Sequence, residues 1–178
     1  MSQHTPTWQE LIKKLASLDK VDLFPLLVYR VRPPSHALWP ESLLSPPEIR
    51  SFYSLCDGGH IADARWFGIA ELEKENRWWA DQLRGYHVAG VSVIDPKLNL
   101  VFGEDSGGCP MVWRRDSNQV ATFQYDGGDW EPTGLTFDGY LRKLFAAPAF
   151  PNDSWWDALQ QLLQLDLANE IGKVQDTK

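Results

Sequence analysis

The chain has 178 residues, 43% of them hydrophobic and 23% charged, with 17 basic against 24 acidic side chains and a formal net charge of −7. This length and composition describe one globular domain and exclude a disordered or low-complexity chain. No apolar run reaches the ~20 residues of a membrane span, no basic-then-apolar leader opens the chain, and the acid surplus argues against nucleic acid as a partner. A cytoplasmic protein with neither a membrane nor a nucleic-acid partner is expected.

Thr7 and Glu10 form a capping box ahead of a first helix, in which Trp8, Leu11, Ile12, Leu15 and Leu18 make one apolar stripe. Residues 25–31 read as a strand, ended by Pro33 and Pro34, which have no ladder N–H. A second helix is predicted with Ser45 as its cap, Pro46 at its first position and Glu48 closing the box; it stops at Asp57, Gly58 and Gly59. Residues 66–69 (WFGI) suggest a short strand, and 70–84 a polar helix carrying Trp78 and Trp79.

From residue 88 the apolar period changes to that of strands. Runs at 88–94, 98–102, 110–114 and 119–125 are separated by short Asp-, Gly-, Ser- and Asn-rich breaks. Such links allow hairpins but not helical crossovers, so the strands are expected to be antiparallel. Residues 126–133 (DGGDWEPT) read as a loop, and 136–145 as a helix with Phe137, Tyr140, Leu141, Leu144 and Phe145 inward. A linker follows at 146–152, then an amphipathic helix from Ser154 with Trp155 and Trp156, and a frayed polar tail. The fold class expected is α+β: a single domain over 1–178, an antiparallel meander flanked by N- and C-terminal helices.

Charge and tryptophan are both unevenly placed. Residues 1–90 carry net −1 and residues 91–178 net −6, so the acid surplus belongs to the second half. Nine tryptophans exceed what one small core readily hides, so two or three are expected on a binding surface. Adjacent helical residues point about 100° apart, so one of Trp78 and Trp79 faces the core and the other a partner.

Residue chemistry favours binding over catalysis. His4, His36, His60 and His87 have no zinc-site spacing, and the sequence implies no metal and no cofactor. Cys56 reads as a small buried hydrophobe and Cys109 as an inert turn thiol. The pairs Gly58–Gly59, Gly107–Gly108 and Gly127–Gly128 match no phosphate-binding loop and read as turns. Glu104, Asp105, Asp126, Asp129 and Glu131 form two acidic stretches near Trp130. Turn chemistry explains them most simply; a docking surface for a basic protein is the next reading, and a sugar hydrolase or hard-cation site the last.

Residues 46–59 (PPEIRSFYSLCDGG) resemble the signature helix of the SUKH superfamily, with Phe52 at the aromatic position and Asp57 where that family has Asn. Residues 98–108 resemble its strand and Gly/Asp turn, 111–113 and 119–121 its next strands, and 136–141 (TFDGYL) its closing helix. The resemblance spans 25–146. It implies a non-enzymatic α+β domain, most often an immunity protein that occludes the active site of a polymorphic or contact-dependent toxin such as a nuclease or deaminase. Fungal members imply the alternative, a scaffold in cell-wall regulation. On the toxin-binding reading the contact residues are Glu104, Asp105, Asp126, Asp129, Glu131, Trp130, Trp78 and Trp79.

Overall fold

The computed structural model describes residues 7–18, 21–24, 27–88, 91–92 and 94–146. The expected linker at 147–152, the helix from Ser154 with Trp155 and Trp156, the tail and His4 lie outside the described residues.

Helix α1 (Trp8–Ala16) is capped as its sequence requires: the Glu10 N–H donates to Thr7 Oγ1, and the Thr7 N–H donates back to Glu10 Oε2. Trp8, Leu11, Ile12 and Leu15 are buried on its inner side. The strand expected at 25–31 forms as β2 (Leu27–Val31), and a further strand before it, β1 (Val21–Phe24), pairs with it antiparallel.

Helix α2 (Pro47–Tyr53) departs from its predicted start. Pro46, not Ser45, is the cap, Pro47 takes the first helical position, and no side chain caps the helix. Glu48 turns elsewhere and accepts the Asp138 N–H. The segment after α2 forms a hairpin, β3 (Gly59–Ile61) and β4 (Ala64–Trp66), rather than a single strand at 66–69. Gly58 and Gly59 have φ of +66° and +120°. A Cβ on Gly58 would lie 2.3 Å from the Phe67 carbonyl oxygen, and one on Gly59 2.1 Å from that of Arg30. The double glycine therefore lets three backbones pack, beyond turning the chain.

Helix α3 (Ile69–Gln82) starts at Gly68, which has no side chain to cap with. Two carboxylates supply the acceptors: Asp57 Oδ1, from before the hairpin, takes the Ile69 N–H, and Glu71 Oε2, in the first turn of the helix itself, takes the Gly68 N–H. Within the run expected at 88–94, the described residues form a separate strand pair, β5 (His87–Val88) with β6 (Val91–Ser92). Then come β7 (Asn99–Glu104), β8 (Pro110–Arg114), β9 (Gln119–Gln124) and β10 (Asp129–Pro132), and α4 (Phe137–Ala146). The expected loop at 126–133 thus contains a strand, because the turn before it reverses tightly with Gly128 at φ +66°.

The main sheet has eight strands in the order β1-β2-β3-β4-β7-β8-β9-β10, every neighbouring pair antiparallel. This is the expected α+β meander. Strand β4 ends early, and the β7 edge beyond it is completed by side chain and loop. Phe67 N–H donates to the Phe102 carbonyl, while Asn76 Nδ2 donates to the Val101 carbonyl and Asn76 Oδ1 accepts the Val101 N–H. The Asn76 amide stands in for a strand residue, which places α3 along that edge.

Helix α4 touches both α1 and α2. Beneath them Phe52, Trp66, Phe102 and Phe137, from four different elements, form a closed ring with centroids 5.0–5.8 Å apart. All four are buried. Trp8 Nε1 donates to Asp138 Oδ1 across α1 and α4. No helix among the described residues is long and apolar enough to cross a membrane.

Candidate functional site

Register places the site residues on the faces of the sheet. Trp130 lies opposite Phe123 across β10 and β9, and their rings meet edge to face. Phe123 also packs against Tyr86, and Tyr125, two residues on, stacks on Trp79. Residues two apart on a strand share a face, so this face is the one that α3 covers. Met111 belongs to the other face and receives the Tyr140 hydroxyl of α4.

On α3 the two tryptophans diverge as helical geometry demands. Trp79 is 4% exposed and Trp78 46%, and their rings meet edge to face at 4.7 Å. Four residues on, Gln82 and Leu83 extend both positions down the helix. Together with Tyr86, Tyr125, Gly108 and Glu104 they line a cleft of about 330 Å³. Trp79 Nε1 is buried there without an acceptor among the described residues.

The predicted acidic residues divide into three groups. Glu104 sits in the cleft wall and pairs with Arg65 at 3.4 Å. Asp105 and Asp126 lie in neighbouring turns at the same sheet end, bridged by Tyr125, whose hydroxyl donates to the Gly107 and Gly108 carbonyls at 3.4 Å. Asp105 is committed to its turn, accepting the Gly107 and Cys109 N–H groups, while Asp126 is exposed. Asp129 and Glu131 alternate with Trp130 and so face away from it, Glu131 accepting from Gln124 Nε2. The Trp130 ring is half-buried under the Arg114 guanidinium at 5.0 Å. A Trp130 platform flanked by Asp129 and Glu131, the arrangement a sugar site would use, is not formed.

Sequence reading missed the charged network beside the cleft. Arg65 carries three carboxylates, Glu71 at 3.2 Å, Glu104 at 3.4 Å and Glu75 at 3.6 Å, and Arg32 pairs with Glu71 at 2.7 Å. Burial alone would raise the Glu71 carboxyl; hydrogen bonds from Arg32 and the Gly68 N–H, with the arginine charges, outweigh it and hold the group down at about 2. Arg30, Arg32, His60 and Arg65 border a second hollow of about 280 Å³. Tyr86 and Tyr125 were missed as well. The i,i+4 pairs Trp78–Gln82 and Trp79–Leu83 were the available signal for the cleft.

The thiols are not poised for attack. Burial pushes Cys56 up to about 12. Burial and the Asp105 charge raise Cys109, whose Sγ donates to Gln124 Oε1. Among the described residues no three His, Cys, Asp or Glu side chains gather in a metal-holding cluster. Neither a protein-family model, nor a curated protein, nor a solved structure matches this chain.

Proposed function

We propose that the chain is a non-enzymatic binding protein of the immunity type, which neutralises a basic toxin domain by covering its active site. The observation that carries the reading is the cleft between α3 and the β7–β8 and β9–β10 turns, where aromatic rings and carboxylates meet at an open surface. Exposed Trp78 beside half-buried Tyr125 supplies the large, rigid apolar contact that dominates protein interfaces. Glu104, Asp105 and Asp126 around it supply the field that steers a basic partner in. The SUKH resemblance supports the same role, since that family's members bind proteins.

The test is capture of partners on the full chain from its host's lysate, at low and at high salt, followed by reconstitution. A purified basic partner whose activity disappears at equimolar protein supports the reading. A partner that binds with its activity intact moves the protein to the scaffold role.

A further inference from the structure

The Trp78 cleft has the chemistry of a receptor for a single cation, and this inference rests on the binding role just proposed. We infer that the cleft takes an arginine side chain of the partner, its guanidinium held over the Trp78 ring and paired with Glu104.

Three observations converge on that occupant. The walls are aromatic: Trp78, Trp79, Tyr86 and Tyr125 line the cleft, and a cation over the face of such a ring is attracted by its quadrupole. The carboxylate of the cleft shares its cation. Arg65 is divided among Glu71, Glu75 and Glu104, so Glu104 has no cation of its own. Glu104 meets Arg65 through Oε2, and its Oε1 has no partner among the described residues. The molecule also uses the same contact internally. Arg50 lies 5.1 Å from the Trp39 ring, Arg65 4.9 Å from Phe67 and Arg114 5.0 Å from Trp130.

Arginine fits better than lysine for two physical reasons. Its planar guanidinium stacks on an aromatic face while its N–H fork reaches a carboxylate edge, and it sheds water more readily than an ammonium. In the cleft those partners are Trp78 and the free oxygen of Glu104.

The probe is N-acetylarginine methylamide titrated into the full chain, followed by the indole N–H signals in NMR spectra. N-acetylcitrulline methylamide, of the same shape without the charge, and N-acetyllysine methylamide are the controls. Saturable shifts of the Trp78 and Trp79 signals with a millimolar dissociation constant are expected for arginine, with citrulline inert and lysine weaker. Trp78→Ala, a change at an exposed position, weakens arginine binding by about fivefold or more, and Glu104→Gln weakens it several-fold. No saturation with arginine, an equal response to citrulline or lysine, or full binding by the Trp78→Ala variant overturns the inference. A toxin neutralised equally well by the Trp78→Ala variant overturns arginine docking and leaves the binding role standing. Arginine binding with no neutralised partner has the reverse meaning.

Discussion

The two faces of the main sheet are built on different principles. Under α1, α2 and α4 the interior is mainly apolar, and four aromatic rings close on one another. Along α3 the contacts are mixed: one amide completing a strand edge, a cluster of opposite charges, and aromatics that run from buried Trp79 out to exposed Trp78. The first face carries most of the stability, because burial of apolar area is the largest favourable term and closely packed rings tolerate little change. The second face fixes positions and keeps rings and charges at the surface, where a partner reaches them. A small domain can leave aromatic surface exposed on one side when the other side supplies the cohesion.

Substitutions grade this contrast. Phe137→Ala opens the aromatic ring and is expected to cost about 3–5 kcal/mol, read as a lower urea midpoint at unchanged slope. A loss below about 1 kcal/mol would mean that the ring is not the keystone of that face. Asn76→Ala leaves the buried Val101 N–H and carbonyl unpaired and is expected to cost about 2–4 kcal/mol. Amide exchange at Val101 is expected to rise more than at Leu100 or Val112, which separates loss of the strand edge from general loosening.

Glu71 sharpens the contrast through pH. Its folded carboxyl lies below its ordinary value of 4.5, so its contribution is present above 4.5 and is lost as the pH falls towards about 2. A third of the side chain is exposed, so the contribution is about 1 kcal/mol. Glu71→Gln is expected to lower stability at neutral pH and to flatten its acid dependence in that window; parallel curves for the two proteins would remove the network from the stability of this face.

Trp78→Ala has the smallest effect on folding, below about 0.5 kcal/mol, with a tenfold or greater loss of partner affinity. A large shift in its melting curve would show Trp78 to belong to the core.

The sequence by itself determined the features that act over a few residues. Thr7 and Glu10 marked the start of α1, and the glycine pairs marked reversals, because caps and turns depend on one or two side chains near the backbone they satisfy. The polar run at 70–84 marked α3, and helix geometry predicted that Trp78 and Trp79 would diverge, since only the rise and turn of a helix are involved. The Asp- and Gly-rich breaks made the strands antiparallel, because no crossover fits within them.

Only the tertiary structure decided what depends on partners far along the chain. Asn76 meets Val101 across 25 positions, and Glu104 meets Arg65 across 39. Ser45 lost its capping role to Pro46, and Glu48 bonded across 90 positions to Asp138. Reading 126–133 as a loop hid the alternation that sets Asp129 and Glu131 on the face away from Trp130, and pairing with β9 revealed it. The cleft likewise exists only because α3, filling the edge where β4 stops, brings Trp78 and Trp79 beside Glu104 and Tyr125. Local patterns carry the period of an element. Which faces and edges of different elements meet is set by pairing register and by the search for partners of every buried polar group.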